Sequence, residues 1–365
     1  MATTYGTTPA RGSARRAWGR ALLGGAVMAC ALGAGNALGE ALARVLGADG
    51  LVRQLLPAAL VSALAVPTVM GLRAVRSARC GPLGLGPLSS APLGFFRGLA
   101  VTLSCAAAVL GAGTALGWVR WAGLDPAALA SFLVSNAVVA VLLEALPEEA
   151  TLRGYAWASL RDRLGGVVSA LGVTAVFLLV PAASTVVQAG VSPLVGVASA
   201  PMGLTPEGQD PVAYLVLLSV FGLTLVAART APGSAPLWAA IGTHVAFLSV
   251  NRVVFEGVQR GAGWSATVAP THAAVLELGY LAATAMVFIG ARLVSSRMKT
   301  RTHRRGQPSA ATTHSVGNWT GAGPLLVPAG RGRPPSGAER VWPSHVGREW
   351  PSHGRGARVI RRGEA

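Results

Sequence analysis

Residues 126–146 read PAALASFLVSNAVVAVLLEAL and contain a single charged side chain, Glu144. A helix needs about 20 apolar residues to cross roughly 30 Å of hydrocarbon, so this stretch predicts a membrane-spanning helix. Short polar or Gly/Pro-rich joints separate it from similar stretches on both sides. The predicted spans lie near residues 19–42, 52–72, 96–118, 126–146, 165–185, 212–229, 236–255 and 273–294. We therefore predict an all-α fold, a polytopic membrane bundle of about eight transmembrane helices over residues 19–295.

The composition of the 365-residue chain agrees with a membrane protein, because 52% of the residues are hydrophobic and 12% are charged. A soluble globular chain carries about 25% charged residues, so most soluble enzymes are excluded, as are disordered and collagen-like chains. Cys30, Cys80 and Cys105 lack Cys-x-x-Cys spacing, so neither a disulfide framework nor a thiolate metal site is predicted. An alternative interpretation of the first span is a signal peptide, since arginines precede it, but the later spans favour a retained anchor.

Basic residues predict the orientation of the bundle, since short loops rich in Lys and Arg stay in the cytoplasm. Arginines crowd residues 1–18 and the second, fourth and sixth joints, whereas the joints between them are mixed or acidic. This alternation predicts a multi-pass protein of the cell membrane, with residues 1–18 as a cytoplasmic segment and both termini in the cytoplasm.

The last 69 residues carry +10 of the formal charge of +17, because 13 Lys and Arg residues there stand against three Glu residues. Residues 296–365 contain few large apolar side chains, so we predict a disordered basic cytoplasmic tail. Anionic membrane lipid is its expected partner, and metal capture by its four histidines is the alternative. Nucleic acid is not an expected partner, because the tail has no folded module on which bases would stack.

The densest cluster of charges in the body is at the predicted cytoplasmic end of the fourth span, where residues 143–155 read LEALPEEATLRGY. On a helix that starts after Pro147, Glu149 and Arg153 are four residues apart and can form an ion pair. Glu148 then points to a different face and is available as a general base. The alternative interpretation is a helix N-terminus, where proline and acidic residues are favoured in the first turn.

A second candidate is His244, near the middle of the seventh predicted span. A neutral imidazole is a common zinc ligand, although a hydrogen-bonded packing histidine explains this position equally well. Asn251 follows seven residues later, two helical turns along on the same face.

Together these segments resemble a known family. Glu-Glu-x-x-x-Arg at the end of one span, followed by Trp-x-x-Ile-Gly-x-His in a later one, is similar to the CPBP family of intramembrane metalloproteases. That family includes the type II CAAX prenyl endopeptidases and the Abi proteins linked to bacteriocin immunity. The resemblance covers about residues 126–255.

The resemblance implies roles for individual residues. Glu148 would activate the catalytic water, and Glu149 and Arg153 would support the catalytic site. His244 would be the histidine of the third motif and a ligand of a divalent metal, with zinc expected. Asn251 is the further ligand candidate.

Two positions depart from the family pattern. Pro181 stands where the second motif has a histidine, and Leu248 stands where the third motif has Asn or Asp. Catalytic zinc generally has three protein ligands and a water. Either Glu144, Asn136 or Asn251 completes the site, or the protein binds no catalytic metal. His272 is a poor substitute because it precedes the last span at the opposite face.

The predicted function is hydrolysis of peptide bonds in membrane-associated peptide or protein substrates by metal-activated water. A catalytically degenerate relative, acting as a membrane scaffold or immunity protein, is the first alternative. A transporter that uses Glu144, Glu148, Glu149 and Arg153 as an ion or proton relay is the second, although the sequence shows no repeats with broken spans.

Overall fold

The computed structural model of the protein describes residues 11–75, 83–198, 201–203, 205 and 209–305, with the backbone alone at 11–13 and 299–305. In this part of the chain, eight helices are long and apolar enough to cross a membrane, as predicted. They cover Ala14–Leu46, Gly50–Ala74, Leu88–Ala115, Pro126–Arg161, Gly166–Val195, Pro211–Arg229, Pro236–Phe255 and Pro270–Met298. The all-α, polytopic fold class is confirmed.

Four of the spans contain more than one helical segment. The α-helices are α1 Arg11–Leu46, α2 Gly50–Ala74, α3 Ala91–Ala115, α4 Pro126–Ala140, α5 Leu146–Glu148, α6 Trp157–Arg161, α7 Gly166–Val191, α8 Pro211–Arg229, α9 Pro236–Val250, α10 Gly257–Arg260 and α11 Pro270–Arg305. Wider π-helical turns, named here π1, π2 and π3, are Val141–Ala145, Glu149–Ala156 and Asn251–Phe255. Short 3-10 turns at Leu88–Ser90 and Ser192–Val195 begin the third span and end the fifth.

The fourth span is longer than predicted, because no new helix starts after Pro147. The helical path runs without a break from Pro126 to Arg161. A proline inside a helix lacks an N–H group and clashes with the carbonyl group four residues earlier. The wide turn π1 lies directly before α5, and we attribute the tolerance of Pro147 to it. Glu148 is therefore inside a long span rather than at its end.

The C-terminal boundary also differs from the prediction. Helix α11 continues to Arg305, although the tail was expected to lose its structure from residue 296. Residues 295–305 contain neither Gly nor Pro, and the first such residue is Gly306. A helix commonly ends at a glycine, so composition alone placed this boundary too early. The rest of the predicted tail, 306–365, lies outside the described residues.

A small antiparallel sheet was not predicted. Strand β1 (Val119–Trp121) pairs with strand β2 (Ala266–Val268), with Arg120 opposite Thr267. Aromatic stacking accompanies the sheet: the ring centroids of Trp121 and Trp264 are 4.4 Å apart, and those of Trp118 and His272 are 4.5 Å apart. Three-residue strands between long spans leave almost no signal in a hydropathy pattern.

The two ends of the bundle are distinguished by their contacts. At the end where α1 meets α2, called here the α1–α2 end, Arg44 Nη1 donates to Gly196 O at 2.8 Å. The segment before β2 is tied to the start of α4 by the bond from Asp125 N to Gly263 O, 2.7 Å. At the other end, called here the arginine-rich end, Arg229 Nη2 donates to Leu83 O at 3.0 Å. Successive spans run between these two ends in alternating directions.

Helices α3 and α9 pack with their backbones in contact. A methyl group added to Gly98 would overlap the carbonyl oxygen of Ala239, and one added to Gly242 would overlap that of Phe95. Small residues allow such close approach between helices in a membrane. This contact fixes α9, and with it His244, against the bundle.

Replacing Gly98 with alanine is expected to destabilise the protein by about 1–3 kcal/mol, because the added methyl group overpacks the α3–α9 contact. Thermal unfolding of the detergent-purified protein measures the effect as a lower midpoint. Gly111→Ala is the matched control, since Gly111 is on the same helix and has open space around it. Equal midpoints for the two variants would contradict the close contact.

Candidate active site

A cavity of about 220 Å³ lies inside the bundle, between the fourth, fifth, sixth and seventh spans. It brings together Glu148, His244 and Asn251, which are separated by up to about a hundred positions in the chain. The predicted face shared by His244 and Asn251 is therefore observed. The wall also contains the aromatic side chains of Phe177, Tyr214, Phe221 and Phe247.

Glu148 offers its carboxylate to this cavity. Its side chain lines the wall and is buried, with 8% of the residue exposed. Within the described residues, no donor forms a hydrogen bond or ion pair with this carboxylate. Glu149, by contrast, is fully buried and points away from the cavity into the bundle. Two adjacent glutamates thus have different surroundings, as the spacing predicted.

The predicted pair of Glu149 and Arg153 is present and has a third member. Arg153 Nη1 lies 3.2 Å from Glu149 Oε1, and both side chains are 0% exposed. His244 Nδ1 lies 3.2 Å from the same Oε1 atom. A ring nitrogen that bonds a carboxylate carries the proton, so the neutral imidazole keeps the lone pair on Nε2. His244 therefore presents Nε2 as an acceptor on its remaining polar edge.

Arg153 makes two further contacts besides its ion pair with Glu149. Its guanidinium lies over the ring of Phe177, 4.4 Å from the centroid, which is a favourable arrangement for a buried cation. Its carbonyl oxygen accepts a hydrogen bond of 3.2 Å from Arg229 Nε. Arg229, which the sequence indicated only as a charge in the sixth joint, thus ties π2 to the end of α8.

The wide turns carry most of the predicted site residues. Glu144 is in π1, Glu149 and Arg153 are in π2, and Asn251 is in π3. Such turns are rare and are often found at functional sites. Sequence reasoning missed them, and the one signal for π1 is a proline inside an otherwise continuous helical stretch.

Asn251 is fixed by the last span. Tyr280 donates its hydroxyl proton to Asn251 Oδ1 at 2.8 Å. The Oδ1 atom is thus engaged, and the Nδ2 group is the part of this amide that can donate to a molecule in the cavity.

Glu144 and Asn136, which the sequence suggested as additional metal ligands, both bind Arg252. Arg252 forms an ion pair with Glu144 and donates through Nη1 to Asn136 Oδ1 at 3.0 Å. Asn136 Nδ2 in turn donates to Ser249 Oγ at 3.1 Å. Arg252 was not among the predicted residues, although its place directly after Asn251 was the available signal.

The described residues do not fit a catalytic zinc with three protein ligands. Pro181 and Leu248 line the same cavity as Glu148 and His244, so the family's missing ligand positions are replaced by apolar side chains at the site itself. No group of three or more His, Cys, Asp or Glu residues in the described ranges could hold a metal ion. His272 stacks on Trp118 beside the small sheet and is not part of the cavity wall.

The cavity extends toward the α1–α2 end. Its wall includes Gln209 from the segment before α8, and Glu256 and Arg260 from the segment after α9. The sequence placed Glu148 at the arginine-rich end of its span, which is wrong, because the span continues to Arg161.

A family model described as Type II CAAX prenyl endopeptidase Rce1-like matches residues 130–250. No curated protein and no solved structure matches the chain. The matched residues include Glu148, Glu149, Arg153 and His244, which carry the resemblance seen in the sequence. Over residues 130–250, this multi-pass membrane protein is therefore similar to the type II CAAX prenyl endopeptidases.

Proposed function

We propose that the protein is a CAAX-protease-like membrane peptidase, which hydrolyses a peptide bond in a membrane-associated peptide or protein. Surrounding membrane lipid is its other partner. One observation carries this proposal: Glu148, whose carboxylate bonds no donor among the described residues, and His244, whose Nδ1 lies 3.2 Å from Glu149, line one cavity inside a membrane bundle.

The proposed reaction uses water as the nucleophile. A water molecule between Glu148 and His244 would donate one hydrogen bond to the carboxylate and one to Nε2. Glu148 takes a proton as the water oxygen attacks the carbonyl carbon of the substrate. Collapse of the tetrahedral intermediate breaks the C–N bond, and the protonated Glu148 returns its proton to the leaving amine.

Asn251 is the proposed stabiliser of the negative charge that develops on the substrate oxygen. Its Nδ2 group donates into the cavity because Tyr280 already engages Oδ1. A donor that is fixed before the reaction needs no reorganisation when the charge forms, and such donors make large contributions to catalysis.

Glu149 and Arg153 are proposed as positioning residues. Glu149 orients the imidazole of His244 and selects the tautomer with an unprotonated Nε2. Arg153 neutralises the buried Glu149 carboxylate, so that His244 receives a fixed acceptor inside the bundle.

Because the donor set does not fit a three-ligand zinc site, no step of this reaction uses a metal. We expect detergent-purified protein to contain much less than one divalent metal ion per chain, measured by elemental analysis. His244→Ala and His272→Ala, the control, should give the same value as the unmodified protein. Stoichiometric zinc that is lost in His244→Ala alone would restore the metal-dependent mechanism.

The test of the function is hydrolysis in proteoliposomes. An internally quenched peptide with a prenylated cysteine fourth from its C-terminus is a suitable probe, since the matching family model concerns CAAX prenyl endopeptidases. We expect an increase of fluorescence and two product masses that locate the cleaved bond. Absence of cleavage of both prenylated and unprenylated quenched peptides would overturn the proposal.

A further inference from the structure

We propose that a small cavity at the arginine-rich end of the bundle binds the phosphate group of a membrane phospholipid. The cavity, called here the Arg97 hollow, has a volume of about 180 Å³ and lies between the first turns of α3 and the joint that connects α8 to α9. Its wall shares no residue with the cavity that contains Glu148 and His244. The inference therefore goes beyond the proposed function and does not depend on it.

Arg97 supplies the positive charge of the hollow. It is nine residues after Leu88, where the third span begins, or about 14 Å along the helix. An arginine within a membrane span is costly and marks a candidate functional site. Its Nη1 group donates to the carbonyl oxygen of Pro232 in the joint. Within the described residues, its other guanidinium N–H groups have no acceptor and no carboxylate pairs with it, so its charge is available to an anion.

The rest of the polar lining can donate hydrogen bonds. Ser90 and Ser234 have hydroxyl groups, and Gly233 and Ser234 have backbone N–H groups. None of these groups has a hydrogen-bond partner among the described residues. The lining contains no Asp or Glu from the described ranges. Arginine, hydroxyl and backbone N–H groups are common donors to phosphate oxygens, so the lining favours a phosphate group.

The joint lies close to the guanidinium. Gly233 has a φ of 152°, in the range that favours glycine. A Cβ atom added to Gly233 would lie 3.6 Å from Arg97 Nη1. The unpartnered N–H groups of the joint and the guanidinium are therefore neighbours, and a single phosphate group can contact both.

The surroundings of the hollow favour a lipid headgroup over free phosphate. Leu93 in the wall is 76% exposed, and Phe96 on the same helix is 60% exposed, as expected of side chains that face acyl chains. Gly233 and Ser234 are also exposed but lie in a joint outside the spans. The hollow thus lies between hydrocarbon and water, and basic pockets in this position bind lipid headgroups.

Native mass spectrometry of the detergent-purified protein, with dioleoyl phosphatidic acid as the probe, tests the site. We expect Arg97→Gln to bind the lipid about tenfold more weakly than the unmodified protein, as is typical for the loss of a hydrogen bond between charged groups. Arg163→Gln is the matched control, because Arg163 is an exposed arginine of the same end and does not line the hollow. Equal binding by the two variants would overturn the proposal.

A second pair of variants tests the hollow without a change at Arg97, and it decides if Arg97→Gln does not fold. Ser234→Glu places a carboxylate in the wall, whereas Ser89→Glu adds the same charge at an exposed position outside it. Neither hydroxyl group forms a hydrogen bond among the described residues, so both variants should fold. We expect a large loss of lipid binding for Ser234→Glu alone. Equal losses would show that the overall charge of this end attracts the lipid, which would overturn the site.

Two further ligands distinguish the source of the phosphate. Dioleoylglycerol has the same acyl chains without phosphate, and it should bind no more weakly to Arg97→Gln than to the unmodified protein. Inorganic phosphate lacks the chains and should not displace phosphatidic acid at equal concentration. Displacement by inorganic phosphate would overturn the lipid as the source. A loss of dioleoylglycerol binding in Arg97→Gln, as large as that of phosphatidic acid, would overturn recognition of the phosphate.

Discussion

Hydrolysis of the quenched peptide is expected to fall by about 10²–10⁴-fold when Glu148 is replaced with glutamine, the range typical of the loss of a general base. Glutamine has nearly the same shape but cannot take a proton from water. Since no donor among the described residues bonds the Glu148 carboxylate, the substitution breaks no hydrogen bond that holds the fold. The initial rate in proteoliposomes, at matched protein content, measures the effect.

Asp49→Asn is the matched control for this experiment. Asp49 is an exposed carboxylate of the α1–α2 end, its side chain forms no cap hydrogen bond, and it does not line the cavity that contains Glu148. The control should keep its rate, and both variants should unfold at the temperature of the unmodified protein. If Glu148→Gln hydrolyses the peptide at more than a tenth of the original rate, Glu148 is not the general base.

Replacing Arg153 with methionine is expected to destabilise the protein by about 3–5 kcal/mol, the usual cost of removing one partner of a buried ion pair. The Glu149 carboxylate would stay fully buried without its cation. The hydrogen bond of Glu149 to His244 does not replace that charge. Denaturant or thermal unfolding of the detergent-purified protein measures the change.

The double variant Arg153→Met/Glu149→Met separates an unpaired charge from a packing defect. Replacing both partners of a buried pair by apolar side chains is often nearly neutral, so the double variant should regain most of the lost stability. Arg163→Met controls for the loss of an exposed arginine on the same side of the bundle. A double variant as unstable as Arg153→Met would show that the ion pair is not the cause.

The membrane spans were predictable because their signal is local. Each of the eight spans needs only enough consecutive apolar residues, and the length of residues 126–146 suffices without any knowledge of neighbours. The pair of Glu149 and Arg153 was predictable for the same reason, since four residues separate its members on one helical face. His244 was predictable as a site residue from the resemblance to the CPBP family.

The remaining contacts of the site depend on tertiary packing. His244 bonds Glu149 across 95 positions, and Arg252 bonds Asn136 across 116, so no local pattern reveals either contact. The same applies to the wide turns, which form where packing favours them over regular helix. Glu144 and Asn136 were considered as metal ligands because they share one side of the fourth span, but the partner of both is Arg252.

The predicted position of Glu148, at the cytoplasmic end of the fourth span, is wrong for a related reason. A helix that starts after Pro147 would place Glu148 at the cytoplasmic surface. The wide turn before α5 lets the span continue to Arg161, so the glutamate lies inside the span. A single local deviation in helix geometry thus moves the proposed general base from the membrane surface into the span.

The position of Arg252 also has a consequence for inhibition. A small molecule that drew this guanidinium away from Glu144 would leave an unpaired carboxylate on the cavity wall that also contains Glu148. This carboxylate would repel any negative charge that develops nearby during the reaction. An inhibitor of this kind would slow the reaction without occupying the space where the scissile bond lies.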